Sequence, residues 1–157
     1  MIRIIALISI LAAPPLAAQE VADMAPRDGW EVIDTDLTFE ALVEAVRAGA
    51  AAEGLAVVTQ AGPTGAAAAR GIDIPGNRVI GLYNNDFAVR VLRLSTPAMI
   101  EAPIRMYVTE DGDGTATLSW KRPSSVFAPY MDDAPGLDTI AAELDDAFAA
   151  VGRAATE

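Results

Sequence analysis

From residue 30 onward, stretches in which apolar side chains alternate with polar ones give way repeatedly to stretches in which they recur every three or four positions. "WEVIDTD", residues 30 to 36, sets Trp30 and Val32 among polar neighbours and predicts a first strand. "LTFEALVEAVRAGAAAEG" changes period: Phe39, Leu42, Val43 and Val46 share one helical face. Thr38 suits its N-cap, and Gly54 the left-handed position after its last turn. "LAVVTQ", residues 55 to 60, is apolar and β-branched enough for a buried second strand. Residues 61 to 77 are punctuated by Gly62, Pro63, Gly65, Gly71, Pro75 and Gly76, which leave room for one short helix near 64 to 70. "RVIGLY", residues 78 to 83, predicts a third strand. Beyond it Phe87, Val91 and Leu94 stand at i, i+4 and i+7, with Arg90 and Arg93 turned away, so Asn85 or Asp86 falls where the N-cap of a second helix belongs.

The clearest pattern follows. Ile104, Met106 and Val108, then Ala116, Leu118 and Trp120, alternate with polar residues on either side of Asp111-Gly112-Asp113-Gly114, a hairpin with one buried and one wetter face. A last helix places Leu137, Ile140, Leu144, Phe148 and Val151 in one stripe, with Gly152 as its stop and residues 153 to 157 as a tail. The order is β-α-β-β-α-β-β-α, and a single apolar stripe on each helix requires a sheet to lie against.

Residues 1 to 18 carry Arg3, an apolar run from Ile4 to Ala13, Pro14, Pro15 and the small Ala17 and Ala18. This reads as a secretory signal peptide cut near Ala18, leaving a periplasmic or secreted chain that begins near Gln19. The apolar run is well short of the roughly 20 residues that span a bilayer, so no membrane insertion is expected after cleavage. A lead of residues 19 to 29 would then precede one domain over 30 to 152. Eleven basic against 22 acidic residues give −11, and loss of Arg3 makes it −12. Such a charge repels phosphate backbones and argues against a nucleic-acid partner.

Cysteine and histidine are both absent. That excludes disulfides, Ser-His and Cys-His nucleophile pairs, and imidazole or thiolate zinc sites. No cofactor is implied, and the single Lys121 limits any Schiff-base chemistry to one residue. The "DGDG" segment imitates the start of a calcium loop. Counted from Asp111, however, the sixth and twelfth places hold Ala116 and Arg122 in place of glycine and a bidentate glutamate, so turn chemistry is expected and no metal site.

Two places can display binding groups. Asn84 and Asn85 sit with Asp86 at a strand-to-helix junction, where capping accounts for most such clusters but a spare amide would face a pocket. The loop "PSSVFAPYMDDAPG" brings Phe127, Tyr130 and Met131 beside Asp132 and Asp133. Such residues either close the edge of the core or form the rim of a ligand or dimer surface.

The segments "LTFEALVEAV", "EGLAVVTQ", "RVIGLYNNDFAVRVL", "APIRMYVTEDGDGTATLSW" and "SSVFAPYMDDAPGLDTIAAELDDAF" together resemble the bacterial domain of unknown function 302 family, over residues 30 to 152. The resemblance implies an α+β domain similar in outline to the TATA-binding-protein-like fold, a curved antiparallel sheet with helices packed on one side, and often a homodimer. The family usually carries Asn-Pro, often after Cys, where this chain reads Asn84-Asn85-Asp86, so no role resting on that cysteine transfers. No catalytic residue is implied.

Three classes of function stay open. The first is an exported, non-enzymatic binding or accessory protein for an apolar or amphipathic small molecule or a protein partner. The second is a hydrolase using two carboxylates from Glu110, Asp111, Asp132 and Asp133. The third is a soft-metal (copper) carrier using Met99, Met106 and Met131.

Overall fold

The structure, a computed structural model, describes residues 21–157. The expected leader over residues 1 to 18, with its cleavage point near Ala18, lies outside the described residues. Five strands, β1 (Trp30–Thr35), β2 (Ala56–Ala61), β3 (Asn77–Tyr83), β4 (Ile104–Glu110) and β5 (Ala116–Lys121), form one sheet in the order β1-β5-β4-β3-β2, antiparallel throughout. The helices are α1 (Phe39–Ala52), α2 (Thr64–Ala68), α3 (Asn85–Leu94), α4 (Pro123–Phe127) and α5 (Leu137–Thr156), with short 3₁₀ turns at Pro97–Glu101 and Ala128–Tyr130. The expected β-α-β-β-α-β-β-α order is therefore present, with the short pieces inserted in its connections.

Register decides which side chains meet. Ile33, Leu118 and Val108 follow one another across β1, β5 and β4, and Trp120, Met106 and Ile80 across β5, β4 and β3, on one face that also carries Ile104 and Leu82. α1 and α5 pack on that face and on each other, burying Leu42, Val46, Leu137, Ile140, Phe148 and Val151. The core is this single layer between sheet and helices, and among the described residues the other face of the sheet carries no helix layer. On β1 it is Ile33 that packs against the core. Trp30 and Val32, which the alternation singled out, lie on the open face opposite Lys121 and Ser119.

Local chemistry sets the element ends. Thr38 Oγ1 accepts from Ala41 N at 3.4 Å, and Gly54 takes φ 68° just past α1, as its position predicts. Gly152 does not stop α5, and residues 153 to 156 are helical, not a tail. Its role is close approach: a Cβ there would meet Trp120 Cη2 at 2.6 Å, so glycine lets the helix lie directly on the indole. Strand β2 is not the buried strand its apolar residues suggested: it is a mostly exposed edge of the sheet, where one ladder is missing, and its pairing with β3 is broken by a bulge between Val57 and Thr59. No helix among the described residues is long and apolar enough to cross a membrane.

Candidate functional site

The three polar residues after β3 resolve into one cap. Asn84, extended at φ −137° and ψ 128°, is the N-cap of α3, and its Oδ1 accepts from Asp86 N at 2.8 Å and Phe87 N at 3.2 Å. The expected cap at Asn85 or Asp86 is thus displaced by one residue, because Asn85 already has helical backbone. Asn84 Nδ2 donates to Gly54 O at 3.1 Å, tying the start of α3 to the end of α1. Asn85 is exposed in the first turn.

The aromatic loop is not a loop. Pro123 opens α4, whose one and a half turns carry Phe127 inward, where it is 2% exposed and belongs to the core. Phe127 therefore does not rim a surface as its loop-like setting suggested. It lines a crevice of about 30 Å³ with Asn84, Phe87, Met99, Leu144 and Phe148, space for about one water. Tyr130 and Met131 are half-buried against the core, and the Tyr130 hydroxyl donates to Glu101 Oε1 at 2.7 Å. That bond holds the Tyr130 phenol protonated above its usual range. Asp132 and Asp133 are exposed.

The candidate carboxylates separate. Glu110 Oε2 accepts from Gly76 N at 2.6 Å, and Asp111 Oδ2 accepts from Thr117 Oγ1 at 2.7 Å, both at the hairpin end of β4. Tyr130, two residues before Asp132, is tied to Glu101 just ahead of the opposite end of that strand, roughly 20 Å away along β4. Asp34 Oδ1 stands 3.1 Å from the same Thr117 hydroxyl. Burial pushes the Asp111 carboxyl up; the Thr117 hydrogen bond opposes this, and the nearby charges of Asp23, Asp34 and Asp113 add to it. Asp113 moves the other way, because the hydroxyl and amide of Thr115 both donate to it, which is the turn chemistry expected of "DGDG". Met106 is fully buried in the core. Among the described residues no group of three or more acidic side chains is placed to hold a metal ion.

A larger site lies on the open sheet face. Residues directly opposite in the ladder share a face, so Trp30 on β1, Lys121 on β5, Arg105 and Tyr107 on β4, and Asn77 and Val79 on β3 all point outward together. These six line a groove of about 500 Å³, closed at one end by Ile104, Glu101 and Val126 of α4. Arg27 lies 5.2 Å and Lys121 Nζ 5.7 Å from the Trp30 ring centroid, within cation–π range. Asn77 Nδ2 donates to the Tyr107 hydroxyl, fixing both on the floor. Ser119 sits between Val32 and Tyr107 in the register; it is fully buried, and its Oγ has no hydrogen-bond partner among the described residues.

The two regions meet at Glu101, which lines the groove and accepts from Tyr130. Tyr130 thus stands behind the groove's rim, while Phe127, Met131, Asn84 and Asn85 line none of it. The sequence does carry the groove's signal, in the outward positions of the hairpin: Arg105 and Tyr107 on one strand and Lys121 on the other. What it lacks is the register that brings Trp30 alongside.

One antiparallel sheet, helices on one face and a furrowed open face opposite define an α+β domain of the curved-sheet class. The chain belongs to the DUF302 family, a domain of unknown function, whose model matches residues 31–155. Its fold is similar to the crystal structure of an uncharacterized conserved DUF302 protein from Bacillus stearothermophilus, at TM-score 0.72 and 21% identity, covering 82% of this chain and 99% of that one. A comparison with curated proteins found no match.

Proposed function

We propose that this domain is an exported, non-enzymatic binding module that takes up a small amphipathic molecule on its open sheet face. The groove carries the reading. Its volume of about 500 Å³ falls in the range of roughly 300 to 1,000 Å³ usual for small-molecule sites. Its walls combine the flat apolar surfaces of Trp30 and Tyr107 and the aliphatic Val79 and Ile104 with a few polar groups. That mixture buries an apolar body while orienting a polar end. Among the described residues Glu110 and Asp111 lie at the opposite end of β4 from the segment that carries Asp132 and Asp133, and Met106 is buried in the core, so the groove supports binding better than the hydrolase or copper-carrier readings.

The test is to fill the groove from within. Val79 is half-buried on the open face, so Val79→Trp occupies the floor without entering the core. N-phenyl-1-naphthylamine, a neutral amphipathic dye, is titrated against both proteins, with binding read from its emission. Binding by the parent chain and loss of at least tenfold in the variant, with the melting temperature kept within a few degrees, is the expected result. Equal binding by both proteins, or by neither, rejects the groove as the site.

A further inference from the structure

We infer that the groove selects an anion, a carboxylate, sulfonate or phosphate carried on a flat apolar body. The inference rests on the reading of the groove as a ligand site and adds the charge that the ligand carries. In a chain with 22 acidic residues and 11 basic ones, a surface furrow is expected to be acidic. This one is not. Arg105 and Lys121 both line it, Arg27 stands over the Trp30 ring at its margin, and the only carboxylate among the described lining residues is Glu101. Glu101 is already engaged by the Tyr130 hydroxyl at the rim.

Arg105 and Lys121 also lack a carboxylate partner among the described residues. Among the described residues Arg47, Arg90 and Arg122 have carboxylates within 4.0 Å, whereas Arg105 and Lys121 have none. Both are exposed, so their charge is directed at whatever enters. Lys121 Nζ also lies 5.7 Å from the centroid of the Trp30 ring, so the groove presents ammonium and indole together. The geometry therefore sets a cationic pair and an aromatic plate side by side, the combination that recognises an aromatic or polycyclic anion.

Two dyes with one skeleton separate this inference from the reading beneath it. 1-Anilinonaphthalene-8-sulfonate carries an anionic group that N-phenyl-1-naphthylamine lacks. At low ionic strength the sulfonate is expected to bind about tenfold more tightly than the neutral dye. That advantage should fall with added salt and shrink to less than twofold in the Arg105→Gln, Lys121→Gln double variant, read as the ratio of the two dyes' affinities in that variant. Equal affinities for the two dyes in the parent chain, with both lost in Val79→Trp, would overturn anion selection and leave the groove standing. Sulfonate binding that survives Val79→Trp shows an adventitious site and overturns both. Should the double variant unfold, Lys121→Arg, which keeps the charge, must retain the preference and Lys121→Gln must weaken it; any other pattern rejects the inference.

Discussion

At the scale of single residues, runs of similar side chains hide unequal work. Asn84, Asn85 and Asp86 look interchangeable in the sequence, yet only Asn84 has the extended backbone that lets a side chain reach back over the first turn of α3. Asn84→Ala is therefore expected to cost about 1 kcal/mol, somewhat more if the Gly54 bond counts, while Asn85→Ala stays within about 0.5 kcal/mol. Urea melts of the two variants check this, and equal losses would contradict the assignment of the cap. Phe127 gives a sharper contrast. As a core residue its truncation to Ala should cost about 3 to 5 kcal/mol. A surface role would show as a loss of binding with stability kept, and denaturant melts beside dye titration tell the two apart.

Among elements, those with a strong period were legible and those governed by distant contacts were not. The hairpin and helices α1 and α5 follow from alternation and from the 3.6-residue stripe, and the apolar residues the pattern named are buried, but so are Thr117 and Ser119 on the hairpin face expected to be wetter. α4 escaped because a five-residue helix has no period to read; Pro123 at its first turn was its only local mark. The end of α5 was misplaced because glycine suits a helix stop as well as a close contact, and only the approach of Trp120 distinguishes them. The groove needed the register of four strands, which no single stretch of sequence contains.

The junction of lead, β1 and hairpin carries a pH dependence of its own. Asp111 sits with its carboxyl raised above the usual value by burial, with Asp23 donated to by Gly112 N nearby. A carboxyl raised in the folded chain opposes folding when ionised. That penalty is fully present above its folded pKa and is lifted as pH falls through it toward the unfolded value of roughly 3.9. Asp111→Asn should accordingly raise the melting temperature at pH 7, and the gain should shrink as pH falls to about 4. A gain that is the same at both pH values would assign the effect to something other than ionisation.

At the scale of the molecule, the fold puts its stability on one side of the sheet and its exposed chemistry on the other. Alterations at Trp30, Val79, Arg105, Tyr107 and Lys121 touch the groove while the core layer beneath stays packed. That division also leaves the sheet with open borders. Along β2 the sequence "AVVTQA" offers a neighbour neither charge nor proline to deter it, and almost all of it is exposed. The doubled residue between Val57 and Thr59 spoils the even spacing of amides and carbonyls that an incoming strand would need to zip onto. An irregularity of one residue at the sheet's edge thus bears on whether crowded copies of the protein stay apart or run together into a continuous ribbon.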